Sequence, residues 1–371
     1  MKSIWKYQDL LPFIQPSYRL TLGEGNTPLV RSRYFGRELG MERLFFKLEN
    51  LNPTGSYKDR FAAIAVGQLL QNNLPLCLGT SSGNTGAALA AYSAASGITC
   101  VLLIVEGAPA DKIKQMQLYG AHPVMVKGFG KDAVVTDKVF GILAEYCSAG
   151  GALLPISAYK YCSPAMQGVQ TIAYEIVEQT EDTVDHIFSP SGGGGLALAI
   201  AKGVIEFTAT GNTRRRPAVH CVQPEGNDSI AGRLRQGYET AKAVQQSTTT
   251  ISGLQVPGVL DGDELIRCCR MLKGNGHLVG DEEVFRVQRL MAQKEGIFCE
   301  PAGAVALAGL IKAVREKEIS KTDAVVCVVT GSGFKNMEAV NKHFDLAPIE
   351  EIAYDAIAGK METLANLHSE Q

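Results

Sequence analysis

A chain of 371 residues, 46% hydrophobic and 20% charged, can bury a large core and has room for about two domains. Its formal net charge of −2 and pI near 6.3 give no basic field, which argues against nucleic acid or an anionic membrane as partner. No apolar run approaches the ~20 residues of a membrane span, the six histidines are too scattered for a metal cluster, and the nine cysteines lack any C-x-x-C pair. With no secretory leader read at the start, and with Cys77, Cys100, Cys221 and Cys327 in apolar runs, reduced core thiols in a cytoplasmic protein are expected.

Along the chain, short β-branched runs alternate with helical runs, the pattern of parallel sheets covered by helices. Asn52-Pro53-Thr54-Gly55-Ser56-Tyr57-Lys58-Asp59-Arg60 places Lys58 at a turn leading into a helix. A helix start repels cations, so an amine there is a candidate nucleophile, although a phosphate-binding cation or a surface lysine fits too. Ser81-Ser82-Gly83-Asn84-Thr85-Gly86 lies between a strand over 76–80 and a helix over 87–96, a turn that cradles carboxylates or phosphates. An ordinary helix cap by Asn84 or Thr85 explains it equally well.

Further strands are expected over 99–105 and 122–127, then a helix over 166–179 and a strand over 186–189. Ser191-Gly192-Gly193-Gly194-Gly195 then opens a helix over 196–206, where side-chain-free N–H groups can close around a phosphate. Gly192, Gly194 and Ala197 also fit G-x-G-x-x-A, which makes an NAD-dependent oxidoreductase an alternative. Against it, the strand over 218–223 runs into Pro224-Glu225, so the acidic residue lies farther on than the usual ~20 residues. Arg214-Arg215-Arg216 reads as a solvated loop, and 237–277 as a loop-rich lid or dimer contact. Glu300-Pro301 is either a helix start with proline in the first turn or part of a site. A strand over 324–329 ends in Thr330-Gly331-Ser332-Gly333, at the carboxyl edge where open sheets bind ligands.

Together NPTGSYKDR, the LGEGNTPLV of the amino-terminal segment, EGIFCEPAGA and VVTGSGFKN resemble the pyridoxal-phosphate enzymes of the tryptophan synthase β-subunit fold, most closely threonine synthases. The resemblance spans nearly the whole chain. It implies two doubly wound parallel α/β domains: a smaller mobile one over 45–157, and a larger, discontinuous one over 1–44 and 158–371 that binds the cofactor phosphate. By it, Lys58 forms the Schiff base, Asn84 bonds the ring hydroxyl, and Gly192, Gly193, Gly194 and Gly195 hold the phosphate. Thr330 faces the pyridine nitrogen, with Ser332 as its rival, and a hydroxyl partner there leaves the nitrogen unprotonated. Ser81, Ser82 and Thr85 hold the substrate carboxylate, and a homodimer is implied.

The reaction class implied is β-elimination or β-replacement on serine, threonine, O-phosphoserine or a similar small amino acid, with Lys58 as base. True threonine synthase chemistry, O-phosphohomoserine to threonine and phosphate, is the alternative; a non-catalytic cofactor-binding protein is another. Threonine synthases share N-S-x-N-P-x-R, but residues 156–171 here lack the arginine, which weakens the case for a phosphorylated leaving group. Lys160 could partly substitute. Phe61, where many threonine synthases carry glycine, is a further departure, and SGGGGL and SSGNTG look more like dehydratases and cysteine synthases.

Overall fold

The computed structural model describes residues 3–366 except 107, 109, 151 and 214, so Arg214 of the arginine run lies outside the described residues. Its strands are β1 (Leu29–Arg31), β2 (Leu44–Leu48), β3 (Leu76–Gly79), β4 (Thr99–Ile104), β5 (His122–Met125), β6 (Ala152–Leu153), β7 (His186–Pro190), β8 (Ala218–Pro224), β9 (Gly276–Val279) and β10 (Val325–Val329). The helices are α1 (Tyr34–Leu39), α2 (Lys58–Gln71), α3 (Asn84–Ser96), α4 (Ala110–Leu118), α5 (Ala133–Ser148), α6 (Tyr159–Gln179), α7 (Gly195–Ala209), α8 (Ala231–Arg235), α9 (Gly262–Met271), α10 (Asp281–Leu290), α11 (Pro301–Arg315), α12 (Met337–His343) and α13 (Ile357–Asn366). The chain forms two compact units, Met1–Asn336 and Met337–Gln371, and all ten strands belong to the first.

The strands make two sheets, one in the order β1-β2-β10-β7-β8-β9 and one in the order β5-β4-β3-β6. Every pairing is parallel except β1 with β2, as the alternation of strands and helices requires. β10, the last strand in sequence, sits between β2 and β7 and is buried along its whole length. Side chains alternate across a strand, so Val326 and Val328 join the core under α2, α6 and α7, whereas Val325, Cys327 and Val329 join the opposite core under α10 and α11. A third core under the four-stranded sheet gathers Leu78, Phe129, Val139 and Leu143. Phe61 is fully buried in the first core.

Several boundaries differ from expectation. β2 straddles residue 45, where the smaller domain was expected to begin, and it pairs within the six-stranded sheet. α6 starts at Tyr159 rather than 166, but with a break at Cys162 (φ −141°, ψ 59°) two residues before Pro164, because proline disfavours helix in the residues ahead of it. The stretch over 237–277 contains α9 and part of β9 as well as loop; the charged outer face of α9 (Asp263, Glu264, Arg267) masks the apolar inner face (Leu265, Ile266, Cys269) in a linear reading.

Candidate active site

Three consecutive charged residues at the start of α2 point to three destinations. Lys58 is the first residue of the helix, and its Nζ donates to Ser157 Oγ at 2.5 Å while lying 4.6 Å from the Tyr57 ring centre. Asp59 turns back to accept from the Thr54 N–H and hydroxyl, and burial lifts its carboxyl to about 7 despite those bonds. Arg60 runs into the core, where it bonds Glu49, Glu175 and Thr171, with Lys47 completing the network on Glu175. That buried network anchors the first turn of α2 to α6 and so fixes where Lys58 leaves the helix.

The loop before Lys58 is stitched to the end of β10. Gly55–Tyr57 runs antiparallel to Thr330–Ser332, through Tyr57 N–H to the Thr330 carbonyl at 3.1 Å and Ser332 N–H to the Gly55 carbonyl at 2.8 Å. The segment before α11 joins the same knot, with Glu300 N–H on the Gly331 carbonyl at 2.9 Å. Glu300 precedes Pro301, the first residue of α11, and its carboxylate accepts from Asn84 Nδ2 (3.0 and 3.2 Å) and from Thr330 Oγ1 (3.3 Å). The helix-start reading of Glu300-Pro301 holds, and the Glu300 carboxylate joins Asn84 to Thr330. Gly331 is required: a Cβ there would lie 2.3 Å from Glu300 Oε1.

Across the cleft, α3 begins at Asn84 with Gly83 in the capping position and no side-chain cap, so the ordinary-cap reading of Asn84 and Thr85 is set aside. Both side chains are thereby free for lateral contacts: Asn84 meets Glu300, and the buried Thr85 places Oγ1 3.1 Å from Ser157 Oγ. Ser81 accepts the Gly83 N–H, Ser82 is half-buried on the same turn, and a Cβ on Gly86 would strike the Ser81 carbonyl at 2.1 Å.

The glycine loop lies on the far side of Ser157. Gly194 has φ +102°, and α7 starts at Gly195, so successive N–H groups open at the start of a 15-residue helix. The loop is backed by the segment leading to α9: a Cβ on Gly193 would lie 2.9 Å from Leu260, and one on Gly195 would lie 3.2 Å from both the Asp261 carboxylate and the Ser157 carbonyl. Asp261 clamps the assembly, its N–H on the Gly193 carbonyl (3.0 Å) and its carboxylate on the N–H groups of Tyr159 (2.9 Å) and Lys160 (3.0 Å). Burial raises its carboxyl above the usual range, while those N–H groups and the Lys58 charge pull the other way. Gln223 at the end of β8 supports the loop from behind through the Gly192 carbonyl at 2.9 Å.

Lys58, Thr85 and the glycine loop thus meet through Ser157, and Asn84 meets Thr330 through Glu300. Ser157 and Asp261 had no sequence signal of their own; Ser157 lies in the 156–171 stretch, where attention falls on the missing arginine. Lys160 has its ammonium 5.5 Å from the Tyr161 ring centre, and it lines a cavity of about 290 Å³ with Lys202, Asp261, Asp263, Glu264 and Arg267, beside the segment that backs the glycine loop. Among the described residues no cluster of histidine, cysteine or acidic side chains could hold a metal ion, and no helix is long and apolar enough to cross a membrane.

A cradle free of side chains at a helix start, packed on the Ser157 that receives a lysine amine, fits a phosphorylated aldehyde cofactor. The profile described as pyridoxal-phosphate dependent enzyme matches residues 20–331. A threonine synthase of Methanocaldococcus jannaschii is 34% identical over 91% of this chain and 81% of its own, and one from Bacillus sp. is 30% identical over 93% of each. The fold is similar to that of maize serine racemase (TM-score 0.69, 22% identity, covering 92% of this chain and 93% of that one). It is also similar to threonine deaminase isoform 2 from Solanum lycopersicum (TM-score 0.71, 21% identity, covering 92% and 88%). With the family shown over residues 20–331, the dinucleotide alternative is not favoured. The chain belongs to the pyridoxal-phosphate dependent enzymes, as a lyase that eliminates or replaces a group on a small amino acid.

Proposed function

We propose that Lys58 carries the cofactor and acts as the base in elimination or replacement at the β-carbon of serine, threonine or an O-substituted relative. The observation that carries this reading is the position of the Lys58 amine, at the start of α2 and on Ser157, with the glycine loop packed against the Ser157 carbonyl. Gly192 to Gly195 hold the phosphate, Asn84 faces the ring hydroxyl and Thr330 the ring nitrogen, both oriented by Glu300. Ser81, Ser82 and Thr85 bind the substrate carboxylate. When bound, pyridoxal phosphate supplies the electron withdrawal that makes the α-proton removable. Lys58, displaced by substrate, removes it.

The four-stranded sheet, with the elements around it over 45–157, is the part expected to shift on substrate binding, and the protein is expected to act in the cytoplasm as a homodimer. Exposed Phe13 (75%) and Leu51 (58%) supply apolar surface for such a contact. A monomer in sedimentation at working concentration would refute the dimer.

The chain's relatives named threonine synthase favour a second reading, in which O-phosphohomoserine gives threonine and phosphate. Residues 156–171 bring no guanidinium to grip that phosphate; Lys160, the cation of that stretch, lines a cavity shared with Asp261. Purified holoenzyme should be assayed on serine, threonine, O-phosphoserine and O-phosphohomoserine, scoring keto acid, phosphate and new amino acid together. Phosphate plus threonine from O-phosphohomoserine alone would establish the second reading. The Lys58→Ala protein should fold, lack the visible cofactor band and turn over nothing; retained turnover would overturn the assignment of Lys58.

A further inference from the structure

Gln115 on α4 has no part in the roles above, yet its side chain closes a triangle beside the lysine loop. The Lys335 ammonium, just beyond β10, donates to Gln115 Oε1 at 2.7 Å and to the Thr54 carbonyl at 2.9 Å, while Gln115 Nε2 donates to the same carbonyl at 3.3 Å. An ammonium only donates and a carbonyl only accepts, so the amide fits in one orientation, oxygen toward Lys335 and nitrogen toward Thr54. Its second N–H is steadied by the Tyr119 hydroxyl, four residues on, at 3.4 Å.

Thr54 passes this hold on to Lys58. Its N–H and hydroxyl both go to the Asp59 carboxylate, so the turn before α2 and the first turn of α2 form one piece, with Lys58 between them. A Cβ on Gly55 would lie 3.4 Å from Lys335 Cδ, so the stem of that lysine packs along the same loop.

The next residue of α4 reaches the opposite half of the site. Successive helical residues point about 100° apart. Met116 is fully buried, and a Cβ on Gly86, in the turn at Ser81–Gly86, would lie 3.0 Å from its Cε. That turn opens α3, against which α4 packs. Consecutive side chains of one helix thus touch the segment assigned to the substrate carboxylate and the loop that ends in Lys58, a contiguous path of the kind that carries coupling between sites.

We propose that Gln115 is a positioning residue that ties the lysine loop to the substrate turn through α4, so that an amino acid seated on the turn steadies Lys58. The inference rests on Lys58 as the cofactor lysine and on Ser81–Gly86 as the turn that takes the substrate carboxylate. A carboxylate held there fixes the turn and, through Met116, the placement of α4; the triangle of Gln115, Lys335 and Thr54 then loses its freedom to open. By linkage the effect runs both ways, so a loop already held in place favours binding at the turn.

The test is amide hydrogen exchange of the holoenzyme, read by mass spectrometry with and without L-alanine, a small amino acid that has the carboxylate but no leaving group. In wild type, saturating alanine should slow exchange over 81–86 and also, by at least ~5-fold, over 54–60, the lower end of the usual coupling between sites. In Gln115→Leu, alanine should still slow 81–86 but leave 54–60 unchanged. Gln115→Glu keeps an acceptor for Lys335 and should restore most of the effect, a rescue that general disruption of α4 would not show. If Gln115→Leu does not fold, Lys335→Met carries the test: it leaves only the 3.3 Å bond and should cut the slowing over 54–60 to under ~2-fold. Equal slowing over 54–60 in wild type and Gln115→Leu would mean that the coupling runs through Ser157 or the cofactor, and would overturn the inference alone; so would slowing confined to 81–86 in wild type, or no rescue by Gln115→Glu. A normal cofactor band with no slowing over 81–86 in wild type would overturn the substrate turn and the inference together.

Discussion

Arg60 offers the sharpest energetic test of how Lys58 is held. Its guanidinium is fully buried and bonds Glu49 through Nε and Nη2 (each 2.7 Å) and Glu175 through Nη1 and Nη2 (each 2.7 Å). Lys47, also fully buried, adds a second cation on Glu175 at 2.6 Å, so two positive charges balance two negative ones. Arg60→Met preserves bulk but leaves that balance one cation short. Glu175 keeps Lys47 and the N–H groups of Asn26 and Thr27. Glu49 keeps only the Thr27 hydroxyl and the Asn52 amide, neither of them charged. Removing one partner of a buried ion pair costs about 3–5 kcal/mol, and Glu49 loses both of its charged bonds, so about 4 kcal/mol is expected. That is a large share of the ~5–15 kcal/mol by which folded proteins exceed the unfolded chain. Urea unfolding followed by the fluorescence of the single, buried Trp5 measures it. Adding Glu49→Gln to Arg60→Met removes the orphaned charge and should restore about half the loss. A single-variant loss under ~1 kcal/mol, or a double variant no more stable than the single, would refute the claim that charge balance holds this turn.

Three further outcomes follow from the geometry. His186, His220 and His277 run across β7, β8 and β9 with ring nitrogens 3.1 and 3.0 Å apart, and burial holds His277 down at about 4 against the opposing pull of Glu318. The unfolded chain takes up this proton near ~6.5, so the contribution is complete above that pH and lost as pH falls toward 4, by about 2 kcal/mol at pH 5; His277→Gln should flatten the urea midpoint between pH 7 and 5 relative to wild type. Gly194→Ala forces a side chain onto φ +102° and to 3.2 Å from the Asp261 backbone, costing about 1–2 kcal/mol, so cofactor affinity measured by dialysis should drop about tenfold while the circular dichroism spectrum is kept. Glu300→Ala leaves Asn84 and Thr330 without their shared acceptor and should speed cofactor loss by about tenfold, whereas Glu300→Gln should retain most of it; equal effects would show that the carboxylate does not orient these residues.

The strand positions at β3, β4, β7, β8 and β10 are legible because each is a short, mostly apolar run between helical stretches, and the loops after β3, β7 and β10 are legible because serine, threonine and glycine close those runs. The lysine, the two serine- and glycine-rich turns and Thr330 stand out as site candidates at those breaks, with their roles supplied by the family resemblance. Ser157 and Asp261 cannot, because their importance lies in pairings 99 and 102 positions away in sequence, and Glu300, flagged as a site candidate, has its Asn84 partner 216 positions away. Asp261 looks like any acidic residue before a helix until its carboxylate is seen to clamp the start of α6. β1, β2 and β9 escaped for a related reason: three to five residues long, they acquire meaning only by pairing.

The central place of β10 has a consequence for how the polypeptide matures. It fills the gap between β2 and β7, pairing with both, although it is synthesised after every other strand. Until about residue 329 has emerged, β2 and β7 present unpaired edges and the six-stranded sheet remains two fragments. Nascent chains stalled before that point are therefore expected to be sticky and dependent on chaperones, with closure of the six-stranded sheet gated by the last strand. Because the Lys58 loop is sewn to the residues just after β10, that loop takes up its final place only when the strand docks.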